Sequence, residues 1–253
     1  MTCARVVSGA GPDLVLVHGW GMNAAAWGVL PALLESRFRV TRLELPGHGE
    51  SGWNGEGSDP TRWARALLAA APPRATWVGW SLGGLVALQA TALAPERIVA
   101  LVGVASTPCF VQRPDWRPAM AEETLAGFGD RLLNDLDGTI QQFLALQFHG
   151  VKEARALMRR LRQDLARRPP PRPQALQAGL ALLRDCDLRL RLAAVDRPRL
   201  WILGGRDRLV PPALADALPE GVRVHFVEEA GHAPFLSHPE AVASTLTAFS
   251  THG

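Results

Sequence analysis

The stretch Gly79–Ala90, GWSLGGLVALQA, decides the fold, because it combines a serine with closely spaced glycines at the start of an apolar helical pattern. The apolar run ATWVG precedes the serine and the helical pattern LGGLVALQ follows it. G-x-S-x-G between a strand and a helix is typical of a nucleophile elbow, in which a strained serine needs small residues two positions away on each side. A glycine-rich helix start without chemistry is the alternative interpretation for an isolated G-x-S-x-G. The context favours Ser81 as a nucleophile.

Strand-like and helix-like segments alternate on both sides of this stretch. The strand-like runs are DLVLV, RVTRLEL, ATWVG, RIVALVGV, RLWILGG and VRVHFVEE. The helix-like segments between and after them are NAAAWGVLPALLE, TRWARALLAA, LGGLVALQATALA, PPALADAL and AVASTLTAF. This alternation predicts an α/β fold with a mostly parallel central sheet covered by helices on both faces.

The alternation is interrupted in the middle of the chain. From Cys109 to Asp187 the sequence shows helical periodicity and no convincing strand, and the proline run RRPPPRP must break a helix there. We therefore expect an α/β core formed by residues 1–108 and 188–253, with residues 109–187 inserted as a helical cap.

Composition excludes several classes of protein. The chain has 253 residues, a formal net charge of +3 and three well-separated cysteines, which argues against a disulfide framework or a structural zinc site. It contains no apolar run long enough to span a bilayer and no secretory signal pattern. No segment has metal-ligand spacing or a nucleotide-binding glycine loop. We expect a cytoplasmic monomer without cofactor, metal, nucleic-acid partner or membrane partner.

A serine hydroxyl needs a base and an acid partner, which follow an elbow serine in the order acid, then histidine. His232 lies in the loop GHAPF after a strand, where an imidazole reaches the carboxyl edge of the sheet. Asp207 directly follows RLWILGGR, and Asp187 is the weaker rival for the acid. By itself an Asp after Gly-Gly-Arg would be interpreted as a turn or helix-cap residue. Together the three positions predict a Ser81–His232–Asp207 triad.

Acyl transfer also requires hydrogen-bond donors for the oxyanion of the tetrahedral intermediate. The first expected donor is the N–H of Leu82, the residue after the nucleophile. The second normally comes from the loop after an early strand, which here is HGWG, and we assign it to the N–H of Trp20. This chemistry needs no cofactor.

Several segments together resemble the pimeloyl-[acyl carrier protein] methyl ester esterases of biotin synthesis, namely HGWGMNAAAW, GWSLGGLVALQ, VASTPCF, FLALQF and GHAPFLSHP. They extend from the first core strand to the last helix. The resemblance implies the α/β-hydrolase fold with a helical cap, and removal of the methyl group from a pimeloyl chain on acyl carrier protein. It also implies that the substrate contacts Trp20, Ser81, Leu82 and His232. In the cap it implies contacts from Phe143, Leu144, Ala145, Leu146 and Gln147.

A basic stripe on one predicted cap helix suggests how a carrier protein docks. Its four members fall within an arc of about 80° at helical spacing, and they are Lys152, Arg155, Arg159 and Arg162. A solvated helix face is the ordinary meaning of such a run, but an acidic carrier protein would complement it in charge. The family carries basic residues just before FLALQ, whereas this chain has Gly138 and Gln142 there. We therefore expect the carrier footprint to shift toward Arg155–Arg162 or to weaken.

Three other functions remain open on the sequence. A broad-specificity esterase for small free esters would use the same triad without a carrier. A C–C bond hydrolase or a perhydrolase would also use it. A catalytically inactive hydrolase-like binding protein is disfavoured, because binding alone would not need the serine, acid and histidine together.

Overall fold

A computed structural model describes residues 3–250, so the outermost residues of the predicted core, 1–2 and 251–253, lie outside the described residues. Within that range seven strands form one sheet in the order β1-β3-β2-β4-β5-β6-β7. The strands are β1 (Arg5–Ser8), β2 (Asp13–Val17), β3 (Arg39–Leu43), β4 (Ala75–Trp80), β5 (Ile98–Val104), β6 (Arg199–Gly204) and β7 (Val222–Val227). Only β1 pairs antiparallel, with β3, and every other pair is parallel. The predicted α/β class with a mostly parallel sheet is confirmed.

Helices connect the strands and build the cap. The helices of the core are α1 (Leu30–Leu34), α2 (Pro60–Ala70), α3 (Leu82–Leu93), α8 (Arg189–Ala193), α9 (Pro234–Ser237) and α10 (Pro239–Ser250). Those between β5 and α8 are α4 (Glu122–Asn134), α5 (Leu136–Gln147), α6 (Ala154–Leu165) and α7 (Pro173–Asp185). Short 3₁₀ helices cover Ala24–Trp27, Pro95–Arg97 and Pro212–Ala217.

The centre of the core is β4 followed by α3. Every residue of β4 is buried, as expected for a central parallel strand covered on both faces. Residues 82–91 of α3 are buried as well, because this helix packs between the sheet and its neighbours α2, α7 and α8. Because this packing holds α3 in place, it also fixes the position of Ser81, the residue that precedes the helix.

The inserted segment is helical in the part of the chain that the structure describes. Its β contacts are two isolated bridges, Val111 with Met120 and Arg113 with Trp116. Helix α4 packs against α5 and α7, and α6 packs against the 3₁₀ helix Ala24–Trp27 of the core. Residues 109–187 as a cap with those boundaries remain a prediction, and α4–α7 lie inside them.

Local structure differs from the sequence expectation in three places. The helix expected for NAAAWGVLPALLE is divided in two at Gly28, whose φ of 56° cannot continue a helix. Within PPALADAL, the residues Pro212–Ala217 form a 3₁₀ helix instead of an α-helix. Strand β1 was not expected, because four edge residues with half-exposed side chains carry little periodicity. Among residues 3–250, no helix combines the length and apolarity needed to cross a bilayer.

Candidate active site

Ser81 stands on a sharp turn between β4 and α3. Its φ of 53° and ψ of −122° are unusual for any residue with a side chain, so this backbone conformation is strained and needs support. The support comes from β5 and the loop after it: the Ser81 N–H donates to the carbonyl of Val104 at 3.0 Å. The hydroxyl of Ser106 donates to the Ser81 carbonyl at 2.8 Å. The strain is therefore held by neighbouring structure rather than by the turn itself.

The two glycines of G-x-S-x-G are required by close backbone contacts. A Cβ atom on Gly79 would overlap the backbone of Gly84, and one on Gly83 would overlap the carbonyl oxygen of Val17. Both contacts are with backbone, which cannot move aside without shifting the sheet or α3. The steric reason expected for the elbow is thus present at both positions.

Asp207 and His232 are in contact at the carboxyl end of the sheet, in the loops that follow β6 and β7. Asp207 Oδ2 lies 2.8 Å from His232 Nδ1, and both side chains are buried. The other carboxylate oxygen, Oδ1, accepts the N–H groups of Leu209 at 2.8 Å and Val210 at 3.0 Å. With both oxygens bonded, the carboxylate has one orientation, and it holds the imidazole through Nδ1.

Asp187 lies in a different environment. Its carboxylate pairs with Arg189 at 2.7 Å and with Arg113 at 3.8 Å. The hydrogen bond from Arg189 lowers the pKa of Asp187 below its ordinary value. The structure therefore pairs Asp207 with the histidine and leaves Asp187 in a partly exposed arginine cluster.

His232 is fixed through its backbone as well as through its ring. Its N–H donates to the carbonyl of Gln147 at 3.0 Å, and its carbonyl accepts from Nε1 of Trp80, the residue before the serine, at 2.8 Å. The ring nitrogen Nε2 is buried and has no hydrogen-bond partner among the described residues. That nitrogen is free to accept a proton from a hydroxyl group that comes within hydrogen-bond distance of it.

The loop after β2 lies against the elbow. A Cβ built on Gly19 would be 3.3 Å from Cβ of Ser81, which places the adjoining Trp20 peptide beside the serine. Within residues 3–250 no acceptor is found for the backbone N–H of Trp20 or of Leu82. Leu82 is the first residue of α3, whose N–H groups and positive dipole end favour an anion.

Cap helices close a small apolar cavity over the serine. Its free volume is about 10 Å³, close to what one water molecule needs. Besides Ser81, the lining is apolar: Phe110, Met120, Leu125, Phe128, Phe143, Leu180, Leu183 and Leu209. The chemistry that fits this cavity is attack on a group carried by an uncharged, apolar chain.

The side chains of the segment Phe143–Gln147 lie in different environments. Phe143 lines the cavity and stacks edge-on against Trp20, with ring centroids 5.0 Å apart. Leu144 is buried beside a second, open pocket, and Gln147 is buried with its Nε2 donating to the carbonyl of Phe143 at 2.8 Å. Leu146 is half-buried and Ala145 is exposed. The structure thus brings Phe143 to the serine and turns Ala145 toward solvent.

The stripe predicted for docking lies on the outside of the cap, but only its three arginines are on α6; Lys152 precedes the helix, which begins at Ala154. All four members are exposed, and none forms an ion pair with another described residue: Lys152, Arg155, Arg159 and Arg162. On the same helix Arg160 pairs with Asp164 at 4.0 Å. The stripe is therefore positive charge without a partner inside the described chain.

Sequence reasoning missed side chains that support the loop after β2. His48 Nε2 accepts the N–H of Gly21 at 3.4 Å, and Glu44 Oε1 accepts the N–H of Ala24 at 3.0 Å. In α7, a Cβ on Gly179 would contact the Trp20 ring at 2.8 Å. A glycine inside a helical pattern was the available signal for close packing at Gly179, whereas His48 and Glu44 gave no local signal.

Two buried histidines beneath this loop remain neutral. Burial lowers the pKa of His18 to about 4, and burial together with the nearby His18 lowers the pKa of His48 to about 3. Their rings are 5.4 Å apart. Neutral rings can use Nε2 as an acceptor: His18 takes the N–H of Leu45 at 3.1 Å, and His48 takes that of Gly21.

We expect the free energy of unfolding to fall as the pH is lowered from 6.5 toward 4. In this range the unfolded chain binds protons at His18 and His48 and the folded chain does not. Each histidine therefore lowers the free energy of unfolding by about 1.4 kcal/mol for each pH unit of acidification. Below the folded pKa values this loss stops. Urea unfolding at several pH values measures the slope, which should be shallower by about 1.4 kcal/mol per pH unit in His48→Gln. An unchanged slope would show that His48 is not buried in its neutral form.

The chain is similar to known proteins over nearly its full length. The model of the α/β hydrolase family matches residues 14–245. The chain is 45% identical over 245 residues to a pimeloyl-[acyl-carrier protein] methyl ester esterase of Methylococcus capsulatus, with 96% of each chain covered. It is 46% identical over 242 residues to the protein of the same name from Klebsiella pneumoniae, covering 94% of this chain and 93% of that one.

Solved structures share the fold at lower identity. An esterase from Exiguobacterium antarcticum superposes with a TM-score of 0.85 at 22% identity, covering 98% of this chain and 94% of that chain. A bromoperoxidase from Bacillus anthracis gives 0.87 at 21% identity with the same coverage. These similarities establish the fold alone, whereas the curated relatives are similar over nearly the full length. The chain therefore belongs to the α/β hydrolase family and, within it, to the pimeloyl-[acyl-carrier protein] methyl ester esterases.

Proposed function

We propose that this protein is a serine carboxylesterase that hydrolyses the methyl ester of pimeloyl-acyl carrier protein, with Ser81, His232 and Asp207 as its catalytic triad. The relatives' name supports the substrate, and the site supports the chemistry. The observation that carries the proposal is the buried Asp207–His232 pair, 2.8 Å between Oδ2 and Nδ1. The strained Ser81, which lines an apolar cavity, supports it.

The first half of the reaction transfers the acyl chain to the serine. His232 Nε2 takes the proton of the Ser81 hydroxyl as the oxygen attacks the ester carbonyl, and Asp207 stabilises the imidazolium through Nδ1. The negative charge on the carbonyl oxygen is received by the N–H groups of Trp20 and Leu82. His232 then gives its proton to the departing methoxide, so methanol leaves and an acyl-enzyme remains.

The second half repeats these roles with water. His232 removes a proton from water, which attacks the Ser81 ester, and the same N–H groups receive the charge. When the tetrahedral intermediate collapses, the proton returns to the serine oxygen and the ω-carboxylic acid is released. At neutral pH the product is ionised, and a carboxylate is unstable in a cavity whose lining is apolar apart from Ser81. That difference favours binding of the ester and release of the acid.

The cavity over Ser81 is too small for a pimeloyl chain when the cap is closed. It has room for about one water molecule, so α4, α5 and α7 must move away from the core before the ester reaches the serine. Helix α5 supplies both Phe143, which contacts Trp20, and Gln147, whose carbonyl binds the His232 N–H. Closure of the cap thus also organises the catalytic loops.

The basic stripe is our proposed docking surface for the carrier protein. Lys152, Arg155, Arg159 and Arg162 are exposed on or next to α6 without an ionic partner among the described residues. Acidic side chains on a carrier would pair with them, and such pairs mainly raise the association rate at low salt. One end of the stripe lies near the loop after β2, because Arg162 lines the open pocket that also contains Gly21 and Leu144.

Reversing the charge of Arg155 and Arg159 to glutamate should lower kcat/KM for the carrier-linked ester by about 10- to 100-fold at low ionic strength. The loss should be smaller in high salt, because screening weakens the electrostatic attraction between the carrier protein and the wild-type stripe. Steady-state kinetics with dimethyl pimelate free in solution should be unchanged. Arg65→Glu, an exposed arginine on α2, is the matched control. An unchanged rate on the carrier-linked ester would place docking elsewhere.

Growth of a biotin auxotroph that lacks its own methyl esterase tests the function in cells. Expression of the wild-type chain should restore growth without biotin, and Ser81→Ala at equal protein level should not. Failure of the wild type to restore growth, despite activity on free esters, would favour a broad-specificity esterase.

A further inference from the structure

The loop that offers the Trp20 N–H is bound by the cap as well as by the core. Nε1 of Trp20 donates to the carbonyl of Leu176 in α7 at 2.8 Å. Nδ2 of Asn23 donates to the carbonyl of Leu165, the last residue of α6, at 3.0 Å. We call residues 19–24 the oxyanion loop. Its position therefore depends on where two cap helices lie.

A buried ion pair makes the third connection between this loop and the cap. Glu44 follows β3 and is fully buried. Its Oε1 accepts the N–H of Ala24 at 3.0 Å, and its Oε2 accepts the N–H of Glu50 at 2.7 Å. The guanidinium of Arg168, three residues beyond α6, donates Nε to Oε1 at 2.6 Å and Nη2 to Oε2 at 3.2 Å. One carboxylate oxygen thus binds both the loop and the cap.

The geometry of this ion pair is suited to holding the oxyanion loop in a fixed position relative to the cap. Two parallel bonds between a guanidinium and a carboxylate fix direction as well as distance. A buried carboxylate without its cation is costly, so Glu44 and Arg168 must move together. Arg168 is mostly buried, with 22% of its side chain exposed, and the pair joins segments 124 residues apart. Surface arginines of the same cap, such as Arg167, lack this constraint.

We propose that the Glu44–Arg168 ion pair is a positioning device for ester hydrolysis, fixing the oxyanion loop against the cap so that the Trp20 N–H is aimed at the developing oxyanion. The proposal rests on the proposed esterase function. In this role neither Glu44 nor Arg168 contacts the substrate. Their effect is on the transition state, because a displaced donor stabilises the oxyanion poorly while the ester still binds in the apolar cavity.

The test uses Arg168→Met and Glu44→Gln in the full chain, with dimethyl pimelate as substrate and a fluorophosphonate to titrate the active serine. Per titrated site, each variant should lose about 10- to 100-fold in kcat with KM within about twofold. Arg168→Lys, which keeps the charge, should recover part of the loss. Arg167→Met, at the neighbouring exposed arginine, should match the wild type.

A second readout separates positioning from stability. A trifluoromethyl ketone adds the Ser81 oxygen to its carbonyl carbon and places the resulting oxyanion between the two N–H donors. Its inhibition constant should rise in Arg168→Met by the same factor as kcat falls. Unchanged kcat per titrated site and unchanged inhibition, with only a lower unfolding midpoint, would overturn the proposal and leave a structural ion pair. Absence of ester hydrolysis in the wild type would instead overturn the esterase function on which it rests.

Discussion

Replacing Ser81 by alanine is expected to lower kcat for methyl ester hydrolysis by about 10⁵- to 10⁶-fold, as large an effect as a single change in the triad can have. The reason is that His232 and the two N–H donors then have no nucleophile on which to act, and water must replace it unaided. Binding should persist, because the apolar cavity formed by the cap is intact. Alanine removes one oxygen from a side chain that is 3% exposed, so the fold should also persist.

Single-turnover hydrolysis of a p-nitrophenyl ester measures this loss, and a fluorophosphonate confirms that no serine is labelled. Ser244→Ala, an exposed serine on α10, is the matched control and should keep the wild-type rate. Covalent labelling of the Ser81→Ala protein, or a large remaining fraction of the rate, would assign the nucleophile to another residue.

Replacing Asp207 by asparagine is expected to lower kcat by about 10⁴-fold while leaving the structure nearly unchanged. The hydrogen bonds around this side chain dictate the result. The oxygen of asparagine must stay with the N–H groups of Leu209 and Val210, which now bind Oδ1. The amide NH₂ then faces Nδ1 of His232, which has to act as an acceptor. The ring proton moves to Nε2, and the histidine cannot take the serine proton.

Asp187→Asn provides the control for this prediction, since Asp187 was the alternative acid. It loses a partly exposed pairing with Arg189 and Arg113, which contributes about 0–1 kcal/mol at such sites. Its kcat should remain close to the wild-type value. A large loss of kcat in Asp187→Asn, with kcat unchanged in Asp207→Asn, would reverse the assignment of the acid.

The structure agrees with the sequence-based expectation where local rules govern. The elbow requires small residues at Gly79 and Gly83 for steric reasons that any strand–serine–helix turn imposes, and both overlap backbone if enlarged. Chain order after the serine suggested Asp207 and His232, and the structure places these two in contact. Alternating apolar runs were sufficient for the mostly parallel sheet.

Prediction failed where contacts join distant parts of the chain. Glu44 and Arg168 are 124 residues apart, and no spacing rule relates a glutamate after β3 to an arginine beside a proline run. In the sequence Arg168 looks no different from its exposed neighbour Arg167, although it neutralises a buried carboxylate. Strand β1 was missed for a similar reason, because its four residues are defined by pairing with β3 and hardly by their own pattern.

Hydrolysis of pimeloyl methyl ester on acyl carrier protein, compared with dimethyl pimelate in solution, tests the central claim most directly. Methanol release and the mass of the carrier-bound product are measured for the wild type, with Ser81→Ala as the blank. The wild type should release one methanol for each carrier-bound ω-carboxylate formed, and its kcat/KM should be higher for the carrier-linked ester than for the free ester. No turnover of the carrier-linked ester, or a kcat/KM no higher than for the free ester, would contradict an esterase dedicated to carrier-bound pimeloyl chains.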